Sequence, residues 1–180
     1  MLIRRDASLL LVVDLQARLA PAIHDSETVI ANAVRLLDGA RQLGVPGFVS
    51  EQYLRGLGPS LPAIQAAASA ARFFEKTHFS CAAEPGVVDL LRQADRQQVV
   101  LCGTEAHVCV LQTALGLQAA GFDVFLVADA ASSRTPANRE AAIERLRAAG
   151  IGIVTTEMVL FEWLHRAATD EFRALLPLIR

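Results

Sequence analysis

The stretch QVVLCGTEAHVCVLQTALGLQAAG, Gln98–Gly121, decides how this chain is read. Its opening, Gln98–Cys102, is an apolar run of strand length without polar alternation, the mark of a strand buried on both faces. Gly103 breaks the run. Val108–Ala120 then carries apolar residues at helical spacing until Gly121 stops it. A strand that feeds a helix through a short turn is half of a βαβ unit, the building block of parallel sheets. The turn also delivers a thiol, Cys109, to the point where the helix begins. Whether that thiol is packing or reagent depends on what the other strands bring to the same rim.

The same alternation extends to both sides. Ser8–Asp14 (SLLLVVD), Val45–Ser50, Arg72–Lys76, Asp123–Ala128 and Ile151–Val154 read as further strands. Helices are expected over Glu27–Leu43, ended by Gly44, over Ser60–Ala71, and over Gly86–Ala94 behind Pro85. Another is expected over Thr135–Gly150, with Thr135 as N-cap and Pro136 at the first helical position. Glu157–His165 and Thr169–Leu176 complete the set. Strand followed by helix, repeated about six times, predicts a Rossmann-like α/β three-layer sandwich: a mostly parallel sheet of about six strands, flanked by helices and joined by right-handed crossovers. No linker or repeat divides the chain, so residues 1–180 are expected to form a single domain.

Composition narrows the function. The chain has 180 residues, 53% of them hydrophobic and 20% charged, which supports a real core and excludes disorder. Its formal net charge is -2 and lysines and arginines do not cluster, which argues against nucleic acid as a partner. No apolar run is long enough for a membrane span. The opening MLIRRDASLLLVVDLQ imitates a secretion signal but runs into Asp14 with no small-residue cleavage site, so it reads as a strand. Three cysteines, Cys81, Cys102 and Cys109, make no disulfide framework and no zinc pattern, and point to a reducing cytoplasm. The loop Gly56–Pro62 (GLGPSLP) lacks the spacing of a phosphate cradle. The expected partner is a small-molecule substrate.

In open parallel sheets, ligands bind beyond the carboxyl ends of the strands. Asp14 ends the first strand; Glu51, Gln52 and Tyr53 follow the second; Lys76 ends the third. Gly103–Cys109 follow the fourth, and Asp129 and Arg134 the fifth. Each residue alone has an ordinary reading: Asp14 as a cap or structural ion pair, Lys76 as a solvated charge, Cys109 as a small buried hydrophobe. Together they place a base, a cation and a thiol on one rim. A helix N-terminus and a nearby lysine favour thiolate, so the Cys109 pKa is expected to fall from about 8.5 toward neutrality. Cys102 lies inside an apolar strand and reads as packing. Cys81 falls in the loop FSCAAEPG with no activating partner in the sequence. His107 reads as either a proton shuttle or a wall residue.

Three motifs carry a resemblance: DLQ at Asp14–Gln16, EKTHFS around Lys76, and GTEAHVCVLQTA around Cys109. In this order and at these separations they resemble the isochorismatase-like cysteine hydrolase superfamily. SEQYLRGLGPSLP and the C-terminal stretch 157–179 look like its short, nicotinamidase-related branch. The resemblance implies an Asp–Lys–Cys triad in which Asp14 is the general base, Lys76 orients and stabilises charge, and Cys109 is the nucleophile. It further implies a cis peptide between Thr104 and Glu105, and an oxyanion hole formed by the backbone N–H groups of Glu105 and Cys109. Leu19, Tyr53, Phe79 and His107 are candidate pocket walls. The histidines of the nicotinamidase metal site are missing from EQYLRGLGP, so no metal and no cofactor are expected. The implied activity is hydrolysis of a small, non-peptide amide through a thioester. The alternatives are a ligand-binding or assembly module with little catalysis, and isochorismate-type ether hydrolysis, against which Cys109 argues. The family also implies a homo-oligomer, with the region 161–180 as either an interface or a cover for the sheet.

Overall fold

Strand β1, Ser8–Val13, lies between β2, Gly47–Gln52, and β4, Gln98–Thr104, and all six of its residues are buried. That position explains its unbroken apolar run, since a central strand covered on both faces has no solvent side to make polar. The computed structural model describes residues 1–179, so Arg180 of the expected domain and C-terminal stretch lies outside it. The sheet is completed by β3, Arg72–Lys76, β5, Asp123–Ser132, and β6, Gly152–Val154, in the order β3-β2-β1-β4-β5-β6. Every strand pairing among the described residues is parallel, so the α/β sandwich is as expected.

Alternate strand residues feed two apolar layers. Leu10, Val12, Val49, Val100 and Val127 face α1, Ser26–Leu43, together with α7, Thr156–Leu164, and α8, Asp170–Ile179. Leu9, Leu11, Val13, Phe48, Val99, Leu101 and Leu126 face the opposite way, toward α4, Val87–Arg92, α5, Leu111–Ala119, and α6, Pro136–Ala148. Helix α1 ends where Gly44 adopts φ 71°, and Thr135 caps α6 by accepting a hydrogen bond from Asn138 N at 3.3 Å. In the C-terminal region Trp163, Leu164 and Leu175 are buried and cover the sheet, while Met158 and Phe161 remain exposed.

Several boundaries differ from the sequence reading, for local reasons. The helix expected over Ser60–Ala71 is confined to α3, Pro62–Ala67, which starts at its proline. The turn-rich loop before it contains a single helical turn, α2, Leu54–Leu57. β5 runs on to Ser132, because a register shift against β4 between Leu101 and Gly103 allows pairing to resume at Ala131. Asp129 therefore sits within a strand instead of on the rim. Its carboxylate accepts hydrogen bonds from Thr156 N at 2.8 Å and Thr156 Oγ1 at 3.0 Å, which fixes the start of α7.

The connections place the site. β1 leads outward to β2 and β3, and the chain then returns to pair β4 on the other side of β1. The crevice at such a reversal, beyond the strand ends, is the default ligand position of open α/β sheets. Gly103 at the end of β4 has φ 117°, and a Cβ there would meet Val13 O at 2.0 Å. Only glycine permits this approach of the two backbones. Thr104 Oγ1 then donates to Asp14 O at 3.0 Å, fastening the end of β4 to the end of β1.

Candidate active site

Asp14 leaves β1 with φ 51°, a left-handed conformation that aspartate tolerates better than most residues, and it is fully buried. Its Oδ1 accepts a hydrogen bond from Ser50 Oγ at 2.6 Å and its Oδ2 accepts one from Lys76 Nζ at 2.8 Å. Lys76 ends β3 with its side chain out of solvent, so the pair is a buried ion pair. The ammonium also donates to Gln52 Oε1 at 2.5 Å and to the carbonyls of Phe79 at 3.2 Å and His78 at 3.4 Å. A lysine side chain carries three N–H donors, and these acceptors occupy all of them. Lys76 thus acts on Asp14 through charge and direction.

Cys109 arrives from the opposite side. The residues after β4 do not enter an α-helix directly. The Thr104–Glu105 peptide is cis, and Ala106–Val110 form a π-helical turn before α5 begins. π-Turns widen a helix locally and recur at functional sites. Here the turn sets the Cys109 thiol beside Asp14 and Lys76, close enough for Asp14 and the thiol to perturb each other and for Lys76 to act on both. The thiol is 6% exposed, against 0% for both Cys81 and Cys102.

The electrostatics correct the expectation of a stable thiolate. Burial raises the Cys109 pKa to about 12, the Asp14 carboxylate adds to that rise, and Lys76 only partly offsets it. The Asp14 carboxylate repels a sulfur anion from the same side and so opposes the attraction of the Lys76 cation. At rest Cys109 is a neutral thiol beside a carboxylate. Burial also raises Asp14 above the usual carboxylate range, while Lys76 and Ser50 pull it back. A carboxylate with raised proton affinity is the better acceptor for a thiol proton.

Cys81 needs a second correction. It is fully buried in the turn Cys81–Ala83, and its N–H donates to Thr113 Oγ1 at 2.9 Å, one helical turn beyond Cys109. Burial raises its thiol to about 11, with Lys76, Asp14 and Ser50 among its neighbours. It forms the back wall of the site. No spacing rule in the sequence pointed there. Cys102 is packing, as expected, and burial raises it to about 12.

The other expected residues differ in exposure. Tyr53 and Phe79 are 57% and 55% exposed, and Leu19 and His107 are half-buried. Tyr53 borders a cavity of about 360 Å³ shared with Leu54, Arg55, Glu75, Lys76, Thr77 and Glu84. His107 Nδ1 lies 2.9 Å from Ser133 Oγ, which orients the ring. Arg134 Nε donates to Glu105 Oε2 at 2.7 Å. The Phe79 loop is tied down by Glu84, whose carboxylate accepts from Thr77 N at 2.9 Å and His78 N at 3.1 Å and lies 2.9 Å from His78 Nδ1. The His78 ring and these N–H groups lower Glu84 to about 2. Among the described residues no group of three or more His, Cys, Asp or Glu is arranged to hold a metal ion, and Gln52 and Tyr53 stand at the end of β2. A larger cavity, about 680 Å³, lies elsewhere, between the N-terminal residues and the α7–α8 junction.

An acid, a lysine and a cysteine thus meet at the topological reversal of a parallel α/β sandwich. Residues 8–158 match the isochorismatase domain, and the chain belongs to that family. The isochorismatase domain-containing protein 2 of Danio rerio is 39% identical over 172 residues, covering 96% of this chain and 86% of that protein. The MAR1 ribonuclease of Caenorhabditis elegans superposes with a TM-score of 0.93 at 36% identity, covering 99% of this chain and 92% of that one. YcaC from Pseudomonas aeruginosa, solved with hexane-2,5-diol and covalent acrylamide, superposes with a TM-score of 0.91 at 25% identity, covering 98% of this chain and 91% of that one.

Proposed function

We propose that this protein is a metal-independent cysteine hydrolase of small, non-peptide amides, with Asp14, Lys76 and Cys109 as its triad. One observation carries the reading: the buried Asp14–Lys76 pair at 2.8 Å, with the Cys109 thiol beside it at the mouth of the sheet. An isolated structural ion pair needs no thiol against it, and a packing cysteine needs no base. The covalent acrylamide on the related YcaC is in keeping with a nucleophile in this fold.

In this mechanism Asp14 takes the Cys109 proton as sulfur attacks the carboxamide carbon. A C–S bond forms and the carbonyl π pair moves to oxygen. The N–H groups of Glu105 and Cys109 receive that oxyanion, a device worth roughly 3–4 kcal/mol per donor in a comparable hydrolase. The proton on Asp14 passes to nitrogen, the C–N bond breaks and ammonia leaves, giving a thioester. Water, deprotonated by Asp14, then releases the acid and restores the thiol. Two moderate barriers replace one high one. The whole chain acts as one catalytic domain in a reducing cytoplasm, in keeping with three free, buried thiols, and as a homo-oligomer.

The likeness to a MAR1 ribonuclease supports a second reading, cleavage of RNA. A phosphodiester needs cations free to meet it, and the lysine of this site is wholly engaged within the protein. The amide reading is therefore preferred.

The test is a panel of small primary amides followed by ammonia release, with intact-mass analysis of the protein and a parallel RNA cleavage assay. Turnover of at least one amide is expected, with an acyl adduct on Cys109. Iodoacetamide is expected to label Cys109 before Cys81 and Cys102. Inactivity across the panel with equal labelling of the three thiols refutes the proposal in favour of a binding module. Cleavage of RNA without ammonia release favours the second reading.

A further inference from the structure

Gln52 has no part in the mechanism above, yet it holds the shortest of the hydrogen bonds to Lys76 Nζ, 2.5 Å at its Oε1. Its orientation is fixed from both ends. Gln52 Nε2 donates to Thr77 O at 2.9 Å, so Oε1 is the atom left to face the ammonium. The Gln52 backbone is bracketed in turn by Gln16, whose Oε1 accepts from Gln52 N at 2.8 Å while its Nε2 donates to Gln52 O at 3.0 Å. The same Nε2 donates to Gly58 O at 2.6 Å. Gln16 is fully buried and Gln52 is 9% exposed. A buried amide pair carries a high desolvation cost and persists where its geometry is complete, as it is here.

We propose that Gln52, held by Gln16, is a positioning residue that fixes the Lys76 ammonium against Asp14 and so sets the proton affinity of the catalytic base. This rests on the triad reading and deepens it. The alternatives for the Lys76 N–H now taken by Gln52 are a second bond to Asp14 or one directed at Cys109. An acceptor at Oε1 withdraws it from both. Asp14 then receives one ammonium hydrogen bond at Oδ2 and one hydroxyl bond at Oδ1, leaving lone pairs for the thiol proton. The titratable groups facing Asp14 are Lys76 from β3, Cys109 from the π-turn before α5, and Cys81 from the turn after β3. Gln52 contributes no charge of its own. A carboxylate in its place adds one, competes for the ammonium and makes Asp14 harder to ionise.

The experiment is the pH dependence of Cys109 alkylation by iodoacetamide, read by peptide mass, in the full chain and in Gln52→Glu and Gln52→Met. It needs no substrate. The acid limb of the wild-type profile reports the ionisation of Asp14. Gln52→Glu is expected to move its midpoint upward by about one pH unit or more, the direction a neighbouring like charge imposes. Gln52→Met, similar in volume and without the acceptor, is expected to lower the plateau rate by about tenfold, since a misdirected ammonium competes for the base. A purely structural Gln52 lowers the melting temperature and leaves the midpoint and plateau of the folded fraction unmoved; that result overturns the proposal. Failure of both variants to fold makes Gln52 structural and overturns it equally. A wild-type profile with no acid limb refutes the triad reading instead, so the two failures are told apart.

Discussion

Replacing Cys109 with alanine is expected to reduce amide turnover by at least about 10⁴-fold, the scale on which removal of a covalent nucleophile acts in comparable hydrolases. No other thiol can substitute. Cys81 and Cys102 are fully buried, and burial raises both, to about 11 and about 12. Cys81 lies close to the same base, but a substrate carbonyl cannot reach a sulfur without solvent access. The fold is expected to survive, because the substitution removes one sulfur from a 6% exposed position and leaves no charge unpaired. The cost is that of a small cavity, about 1 kcal/mol. The pH profile of the wild type supports the same assignment. With the Cys109 thiol raised to about 12, free thiolate is negligible at neutral pH and the reaction depends on proton transfer to Asp14. Activity is expected to fall as pH drops through the raised Asp14 value, where the base is lost to protonation. Ammonia release, far-ultraviolet circular dichroism and thermal melting check these points together. A folded Cys109→Ala variant that retains wild-type turnover ends the nucleophile assignment.

The sequence carried the architecture because the architecture depends on periodicity. Apolar runs such as Leu9–Val13 and Val99–Leu101 mark strands covered on both faces, and helices with Gly44 or Thr135 at their ends carry their own punctuation. Asp14, Lys76 and Cys109 were legible for a related reason: each ends or follows a strand, and strand ends share one rim in a parallel sheet. What could not be read depends on side-chain direction and on the third dimension. Cys81 lies in an irregular turn, and only the packing of that turn on Thr113 takes it into the site. The balance of burial against charge that keeps Cys109 a thiol is equally invisible, because a helix start and a lysine are sequence features while desolvation is a property of the packed interior. The roles of Gln16 and Gln52 emerge only when β1 and β2 are side by side, 36 residues apart in the chain, with paired amides across the gap.

Lys76→Met is expected to be among the most destabilising single substitutions in the chain. Methionine matches the aliphatic stem and removes the charge, stranding Asp14 as a fully buried carboxylate with only the neutral donors Ser50 and the Cys109 thiol left to it among the described residues. Breaking a buried pair from one side costs about 3–5 kcal/mol, which for a chain of this size lowers the melting temperature by roughly 6–20 °C. The cost should depend on pH with a definite sign. Burial already raises Asp14 above its unfolded value, and Lys76 is the largest influence holding it down. Without Lys76 the folded-state pKa rises further, so the native state binds a proton that the unfolded chain releases near pH 4. Stability then falls with increasing pH between the unfolded and the raised folded values, because the native state carries more protons than the unfolded state across that window. The variant is therefore expected to be closer to wild type at pH 5 than at pH 8. Activity should be lost at all these pH values, as a protonated Asp14 cannot accept the thiol proton and an ionised one lacks its counter-charge. Denaturant titrations at both pH values decide the matter: a deficit independent of pH, or a variant as stable as the wild type, removes the ion pair from its central place in the site.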